Sequence, residues 1–519
     1  MTTRMRSIGA LASLGGWAAY IGARTAARRG TPVRPIPHSP LPRRAPLAPD
    51  THTQHGPASA RPIPHVAVPQ HPYMAANPGS NMHCDAYISD TYEASGPLGA
   101  GTEVISRTEG FGGYGTFCFD SHGRLVGVYH NGRQFRLELM DPDTLELLAS
   151  YDLPGRHWSF FFRGVRPWEY LGAGMYFYLD HQDRAVVPTT RNTVQVVQVP
   201  DLKTSREFDL VREYDLGAYM VPNADDSPAF VLPDWEGSHY WFASVEGVVG
   251  TIEIATGSVH NMRLEGELVE NSFAVGEEGA FIISDQAMYR FVLDDNGAPE
   301  IAWRTEYSKA ETAKAGHISV GSGSSTTLTG TPADGLIVVT DNADPRINLL
   351  FISRHDGKLV GSAPLFGAGQ SGTDLTAIGF EHATDDADGT GHFSAIVENN
   401  WGPHTFPVSR CVTPGLTRVD AVRQDDGSFS IKEVWSTDEK SIGGFRLSLG
   451  NGLVYIYDRD GDSWYLTGIN FETGTTAFKH RVGTGMGFNN WQGSLFLHPD
   501  GRSAISTTIF GLVMIRDRA

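Results

Sequence analysis

Carboxylate and amide side chains follow two short apolar runs in the second half of the chain. The run 336–340 ends in Asp341-Asn342, and the run 393–397 ends in Glu398-Asn399-Asn400. Carboxylate and amide oxygens grouped around a cavity are the ligands that Ca²⁺ and Mg²⁺ take in proteins. These residue types and positions therefore predict a site for a cation or a small polar ligand.

A second set of polar residues precedes apolar runs. Glu270-Asn271 precedes one, and Asn489-Asn490-Trp491 precedes another and adds an aromatic ring, which suits a small organic ligand. The candidate ligand-binding residues are Glu270, Asn271, Asp341, Asn342, Glu398, Asn399, Asn400, Asn489, Asn490 and Trp491. The candidate metal ligands among them are Glu270, Asp341 and Glu398, with Ca²⁺ as the candidate cofactor. Asp and Asn are also favoured in loops because they cap turns, so turn chemistry is the alternative interpretation.

A repeated unit must position these residues. It reads strand, tight turn, strand, polar loop, strand, turn, strand, and Gly, Asp or Asn recur where the tight turns need them. Eight first turns are found at 120–123, 180–183, 235–237, 277–279, 333–335, 385–389, 451–452 and 499–501. Eight four-stranded units predict an all-β fold, an eight-bladed β-propeller, with seven blades as the alternative. The last unit lacks a fourth strand, which we expect residues 102–107 to supply.

The predicted blades place the polar residues on one face. Neighbouring strands of a blade are antiparallel, so the start of the first strand and the end of the second lie together, opposite the first turns. Units four to six are neighbours in the ring and carry Glu270, Asp341 and Glu398. The three carboxylates are therefore predicted to share one face of the central channel.

Charge is divided unevenly along the chain. The net charge is −18, and residues 1–65 hold nine Arg and one acid, so they carry +8 and the remainder carries −18 − 8 = −26. An acidic body repels phosphate, which excludes nucleic acid as a partner and favours cations or neutral and cationic small molecules. No GxSxG, HExxH or phosphate-binding loop is present, so no catalytic residue is assigned.

The N-terminus has the composition of a targeting segment followed by a linker. Residues 7–23 are uncharged and mildly apolar between basic flanks, which predicts a signal or membrane-anchor segment over 1–30 and a location in the cell envelope. Residues 31–79 hold 13 of the 30 prolines and predict a disordered linker, so the propeller is expected over 80–519.

The stretch from His83 to Tyr92 precedes the first blade and is rich in polar groups. We expect it either to cover the channel as a lid or to clasp the N-terminal segment to the surface. Cys84 and Cys118 either pair in an oxidising compartment or remain free thiols together with Cys411.

The phrases 469–474 (INFETG) and 301–307 (IAWRTEY) resemble the repeat of quinoprotein (PQQ-like) propellers. The phrases 83–92, 284–291, 340–345 and 397–402 look like those of exported, uncharacterised propeller proteins of actinobacteria. That resemblance implies export from the cytoplasm and does not imply a reaction. The function that we expect first is a binding or scaffold propeller, exported or membrane-anchored, with a ligand at the channel mouth. A quinoprotein dehydrogenase is one alternative, but the adjacent-cysteine ring of many such enzymes is absent, which argues against PQQ.

A second alternative comes from the opening of the first unit. Arg107-Thr-Glu-Gly110, followed by the phrase 119–125 (FDSHGRL), is similar to the opening motif of the SMP-30/gluconolactonase propellers. That resemblance implies a Ca²⁺-dependent hydrolase with Glu109 as an acidic metal ligand. The family has six blades, so the size of this chain departs from it.

Overall fold

Eight β-sheets arranged as blades make up the fold, an all-β eight-bladed propeller, in a computed structural model. The structure describes residues 55–518 except 109–111, 157–173, 223–225, 316, 318, 384–390, 403–412, 442, 462 and 491–492. All of them belong to one compact unit, residues 40–519. The predicted fold class and number of blades are confirmed.

The strands follow the predicted order. Two strands precede the first blade, β1 (Thr91–Tyr92) and β2 (Glu103–Thr108). Blades one and two contain β3 (Gly113–Phe119), β4 (Leu125–His130), β5 (Phe135–Met140), β6 (Leu147–Leu153), β7 (Tyr178–Leu179), β8 (Arg184–Pro188), β9 (Thr193–Gln198) and β10 (Asp209–Asp215). Blades three and four contain β11 (Pro228–Pro233), β12 (His239–Ser244), β13 (Val248–Glu253), β14 (Val259–Arg263), β15 (Ala274–Gly276), β16 (Gly279–Ile283), β17 (Ala287–Leu293) and β18 (Pro299–Glu306).

The second half continues the pattern. Blades five and six contain β19 (Thr327–Thr329), β20 (Leu336–Thr340), β21 (Asn348–Ser353), β22 (Leu359–Pro364), β23 (Ile378–Glu381), β24 (His392–Glu398), β25 (Leu416–Arg423) and β26 (Phe429–Thr437). Blades seven and eight contain β27 (Arg446–Ser448), β28 (Leu453–Asp460), β29 (Ser463–Asn470), β30 (Thr476–Thr484), a 3₁₀ turn (Met486–Phe488), β31 (Leu495–Leu497), β32 (Ser503–Thr508) and β33 (Gly511–Arg516).

The sequence pattern of each strand matches its depth in a blade. The second strand β20 reads LIVVT and is buried throughout, because it packs between neighbouring blades. The outermost strand β18 contains only exposed and half-buried residues, because it lies at the rim of its blade and meets water. The tight turns use positive φ where predicted, as at Gly123 (φ 72°) and Gly452 (φ 69°).

The ring closes with a strand from the opposite end of the chain. Strand β2 pairs antiparallel with β33 from Glu103↔Arg516 to Thr108↔Gly511 and completes blade eight. The Asp517 carboxylate accepts hydrogen bonds from the backbone N–H groups of Leu98 (2.6 Å) and Ala100 (3.0 Å), which fixes the approach to β2. The predicted closure is confirmed.

The central channel is filled by the chain itself. We call residues 79–92 the plug. The innermost strands of six blades donate backbone N–H groups to plug carbonyls, in the pairs Phe119→Gly79, Leu179→Ser80, Val275→Ala86, Leu328→Tyr87, Gly379→Ser89 and Leu447→Asp90. Strand β1 at the end of the plug pairs in parallel with β27, so blade seven gains a fifth strand.

The stretch from His83 to Tyr92 is therefore neither a lid nor a surface clasp, since all ten residues are buried inside the ring. Ile88 has a φ of 59°, a costly conformation for a β-branched residue. The surrounding strands hold it there, so the plug is fixed by contacts on every side.

The residues before the plug cross the end of the channel on the side of the first turns. We call residues 57–76 the strap. Its backbone N–H groups donate to Asn451 and Leu449 in blade seven and to Glu381 in blade six. His71 then packs on Trp235 of blade three, with ring centroids 4.5 Å apart. Residues 55–79 are thus ordered against the ring, which corrects the predicted disordered linker over that part; residues 1–54 lie outside the described residues.

Two further expectations concern the thiols and the membrane. Cys84 and Cys118 are buried free thiols, so the predicted alternative of a disulfide between them is wrong; Cys411 lies outside the described residues. The described parts of the chain include no helix long and apolar enough to cross a membrane.

Candidate functional site

The face opposite the strap and the first turns is the mouth of the channel. Here the innermost strands begin and the second strands end. Glu270-Asn271 precedes β15, Asp341-Asn342 follows β20, Glu398 ends β24, and Asn489-Asn490 precedes β31. The structure places these residues on the face expected from the antiparallel pairing of the strands.

A buried ion pair joins the plug to blade seven. Arg446 is 1% exposed, and its Nη1 lies 3.1 Å from Oδ1 of Asp90, while its Nη2 donates to the carbonyl of Met82. The same Asp90 oxygen lies 3.0 Å from Nδ1 of His83. Nε2 of His83 has no hydrogen-bond partner among the residues that the structure describes. The plug thus carries an imidazole oriented by a carboxylate, with one ring nitrogen unused.

Glu398 is the most unusual acid of the mouth. It is 0% exposed, and in the described part of the chain neither of its carboxylate oxygens has a hydrogen-bond partner. Burial raises the pKa of Glu398 to about 8, although the nearby Ser441 hydroxyl, which donates a hydrogen bond to the carbonyl of Gly443, and the Arg446 guanidinium act to lower it. A buried carboxylate without partners is costly, so Glu398 is protonated at neutral pH unless a ligand compensates its charge.

Glu270 lies in a second acidic group at the mouth. Its carboxylate accepts a hydrogen bond of 2.5 Å from Ser319. Burial and the charges of Asp374 and Asp285 raise the pKa of Glu270 to about 7, although the hydrogen bond from Ser319 and the nearby His317 act to lower it. Nδ1 of His317 lies 3.0 Å from Oδ1 of Asp374. This side of the mouth therefore groups three carboxyl groups around one imidazole.

Tyr176 connects the acidic group to the plug. Its ring stacks on His83, with centroids 6.4 Å apart and planes at 18°. Burial raises the pKa of Tyr176, and the charges of Asp374 and Asp90 add to the shift, so both carboxylates are within electrostatic reach of its hydroxyl. Groups from blades two, four, six and seven and from the plug thus interact around the channel axis.

Several predicted site residues have local structural roles. Asp341 accepts hydrogen bonds from the backbone and side chain of Asn348 (2.6 and 2.7 Å), which caps the start of β21. Asn399 accepts from Gly372 and donates to Gln370 (2.9 Å), so it holds a neighbouring loop. For Asp341 and Asn399, turn chemistry is the better interpretation.

The other amides differ in how well they are satisfied. The side-chain amide of Asn271 donates to the carbonyl of Gly323 at 2.6 Å, and the side-chain oxygen Oδ1 of Asn400 accepts from the backbone N–H of Asp374 at 3.1 Å. Within the described chain, Oδ1 of Asn342 and Oδ1 of Asn490 are buried without a hydrogen-bond partner. Asn489 is fully buried. Trp491, and Glu109 of the lactonase-like motif, lie outside the described residues.

Among the described residues, the His, Cys, Asp and Glu side chains whose ligand atoms lie within 4.8 Å of one another are His382, His392 and Asp420. Glu270, Asp341 and Glu398 are not in that group, so the joint binding of a metal ion by these three acids stays a prediction. Sequence reasoning did not identify Arg446 or Tyr176, whose importance depends on the plug.

The raised pKa of Glu398 predicts a pH-dependent effect of its substitution. In the folded protein the pKa is raised from 4.5 to about 8. The contribution of the protonated Glu398 carboxyl to the free energy of unfolding is therefore fully present below about pH 4.5, and it is lost as the pH rises through about 8. Glu398→Gln mimics the protonated acid. At pH 9 its free energy of unfolding should therefore exceed that of the wild type by on the order of 3–5 kcal/mol, and at pH 5 the two proteins should differ little.

Urea denaturation in chelator at pH 5, 7 and 9 measures this difference. Glu300→Gln, at an exposed position of an outer strand, is the matched control and should show no trend. Parallel pH profiles for wild type and Glu398→Gln would contradict the assignment of a buried, unpartnered acid.

No family model matches the chain. An uncharacterized protein of Archaeoglobus fulgidus is 23% identical over 264 residues, which are 45% of this chain and 49% of the relative, so the chain spans about half of that relative's length.

Solved structures similar to the chain are propellers of low identity. The Cps50 (Swd1) β-propeller domain of Myceliophteria thermophila is 8% identical with a TM-score of 0.36, over 68% of this chain and 98% of that domain. Sqt1 of Saccharomyces cerevisiae is 11% identical with a TM-score of 0.35, over 65% of this chain and 93% of its own. A chain of the Mitotic Checkpoint Complex is 12% identical with a TM-score of 0.37, over 65% and 87%. The β-propeller fold itself rests on the eight blades described above.

Proposed function

We propose that this protein binds a small cationic ligand, a divalent metal ion above all, at the mouth of its channel. The observation that carries the proposal is the Glu398 carboxyl, fully buried and without a hydrogen-bond partner among the described residues. Folded proteins rarely retain such a group without a use for it. Perturbed acids in a concave site are candidates for binding or chemistry.

The charge of the mouth favours a cation over an anion. Glu398 and Glu270 have pKa values raised to about 8 and about 7, so each would gain from a positive ligand that stabilises its ionised form. The body outside residues 1–65 carries −26, from −18 − 8, which raises the local concentration of cations. Elsewhere on the mouth, Asn342 and Asn490 carry amide oxygens without hydrogen-bond partners among the described residues, and such neutral oxygens are of the type that Ca²⁺ takes.

Calcium is the probe that tests the proposal. We expect Ca²⁺ to raise the melting temperature of the full-length protein, and more at pH 8.5 than at pH 6, because a cation bound at Glu398 requires the ionised carboxylate and so the release of its proton. A ligand at 100 times its Kd adds about 2.7 kcal/mol of apparent stability. Glu398→Gln should lose most of the response, whereas Glu300→Gln should keep it.

Calorimetry in buffers of different ionisation enthalpy reports the released protons directly. Release of about one proton or more per ion at pH 7 is expected. If Ca²⁺, Mg²⁺ and chelator leave the wild-type melting curve unmoved at both pH values, the cation proposal is wrong.

We further propose the cell envelope as the compartment in which the protein acts. The support is the uncharged segment 7–23 between basic flanks, together with the resemblance to exported propellers. Such a location would expose the mouth to extracellular concentrations of divalent cations, at which weak sites are occupied.

A further inference from the structure

A lysine, an aspartate and a glutamate meet between blades six and seven. Asp458 lies near the end of β28, Lys479 lies in β30, and Glu439 follows β26 of blade six. Thr467 of β29 lies opposite both Lys479 and Ile456 in the strand register. Ile456 precedes Asp458 by two residues, and residues two apart in a strand point to the same face. The Asp458 and Lys479 side chains therefore meet on one face of blade seven.

The three groups are in hydrogen-bond contact. Nζ of Lys479 donates to Oδ2 of Asp458 at 2.6 Å and to Oε2 of Glu439 at 3.3 Å. Thr467 donates to the same Asp458 oxygen at 2.9 Å. Thr476 donates to Oε1 of Glu439 at 2.6 Å, so both carboxyl groups are held in place. The Asp458 side chain is 1% exposed, and its Oδ1 has no hydrogen-bond partner in the part of the chain that the structure describes.

We propose that Lys479 and Asp458 form an intramolecular isopeptide bond, and that Glu439 transfers the protons between them. Cγ of Asp458 is bonded to the oxygen that Nζ contacts, so the two reacting atoms are close to the roughly 3–3.5 Å of a near-attack arrangement. Because the strands hold both side chains, the reaction is unimolecular and needs no further reactant. The bond lies within blade seven and does not depend on the cation site proposed at the mouth.

The reaction is a condensation that releases one water molecule. It starts when the Lys479 ammonium passes one proton to Asp458, so that an amine faces a carboxylic acid. Nζ then forms a bond to Cγ, and the Glu439 carboxylate accepts a proton from the nitrogen. Glu439 returns that proton to one Asp458 oxygen as its bond to Cγ breaks, and this oxygen leaves as water. The products are a neutral secondary amide and water, with Glu439 again a carboxylate, so atoms and charge balance.

The surroundings favour the neutral amide over the ion pair. Burial raises the pKa of Asp458 to about 7, although the charge of Lys479 acts to lower it, so the neutral acid is accessible at neutral pH. Burial acts to lower the pKa of Lys479, but the charges of Asp458 and Glu439 raise it, which makes the ion pair the state before reaction. A buried ion pair has lost the hydration of both charges, whereas the amide has no charge to hydrate. The released water can leave past Lys479, whose side chain is 15% exposed.

Mass spectrometry of the denatured full-length protein tests the bond. After correction for the substitution, the wild type should be lighter than Lys479→Met by the mass of one water molecule. Trypsin should not cleave after Lys479, because an acylated lysine is not its substrate. Digestion should therefore yield peptide 447–459 joined to peptide 460–481, with fragmentation placing the linkage at Asp458 and Lys479.

Two comparisons make the result specific. Glu439→Gln keeps both reacting groups but removes the proton acceptor, so it should give the unlinked peptides. Lys358 and Asp356 form an equally short contact of 2.5 Å, but their side chains are 80% and 35% exposed, and they should remain unlinked in the same digest.

The wild type alone decides the question, whether or not each variant folds. The full sequence mass for segment 447–481 of the folded wild type, with cleavage after Lys479, would overturn the proposal and leave an ordinary buried ion pair. A linked peptide formed by Glu439→Gln in wild-type yield would overturn the role of Glu439.

Discussion

Replacing residues 103–108 by a Gly-Ser sequence of the same length is expected to leave the protein aggregated or unfolded. Strand β2 is the only strand of blade eight supplied by the N-terminal part of the chain, and it pairs with β33 over six residues. The replacement removes the buried side chains of Val104 and Ile105, worth together about 3–6 kcal/mol. It also exposes β33, an apolar strand, as an open edge that invites pairing with other copies.

Light scattering after size-exclusion chromatography and the thermal midpoint report the outcome. The matched control is the same exchange in β22 (Leu359–Pro364), a six-residue outer strand within one blade. Its loss also opens an edge but leaves the ring closed, so a smaller loss of stability is expected. A β2 variant that remains monomeric and melts no lower than the β22 variant would show that closure contributes little.

Arg446→Met is expected to destabilise the protein by about 3–5 kcal/mol. The substitution keeps an apolar stem of similar length but removes the cation that neutralises Asp90, whose side chain is 3% exposed. Breaking a buried ion pair on one side leaves an uncompensated buried charge, which is the costly event. It also frees the Met82 carbonyl, which accepts from the guanidinium.

A double variant and a surface control make this result specific. Arg446→Met combined with Asp90→Asn should recover part of the loss, because the stranded charge is then gone. Arg502→Met removes an arginine that is 40% exposed and pairs with Asp500, so its effect should be within about 0.5 kcal/mol. Urea denaturation of the four proteins gives the values. A loss below about 1 kcal/mol for Arg446→Met would mean that the plug is not held by this pair.

The blades were predictable because their signals are local. A turn such as the one at Gly123 needs a residue that tolerates positive φ, and the strands on either side repeat the same apolar pattern. The closing strand was predictable too, since a missing partner for β33 leaves an edge that must be covered. Each inference needed only neighbouring residues or a count of strands.

The plug and strap were not predictable, because their partners lie far away in sequence. The stretch from His83 to Tyr92 has no strand periodicity, and it is ordered by N–H groups from four different blades. The proline content of residues 55–79 indicated a free linker, yet the backbone of Ile63 is held by Leu449. Composition indicates how much apolar surface a segment can bury by itself. It does not show which contacts and hydrogen-bond partners the folded ring offers to that segment.

The mouth was predictable as a face, but its contacts were not. Antiparallel pairing fixes the side on which Glu398 and Asp341 emerge. Their roles diverge because Asp341 finds a partner in Asn348 within its own loop, whereas the Glu398 carboxyl has none among the described residues. Such differences depend on side-chain positions of about an ångström, which spacing in the sequence does not specify.

The position of the plug has a consequence for the order in which the protein is made. Met82 meets Arg446 across 364 residues, so its binding partner leaves the ribosome long after it does. While most of the ring is still being synthesised, the polar groups of the plug have water as their hydrogen-bond partner in place of the strands that bind them later. We expect the ring to close around this segment, because the segment accepts its backbone hydrogen bonds from the innermost strands that line the channel. We therefore expect folding to be completed late and in one step, when the last strands of the ring enclose the plug.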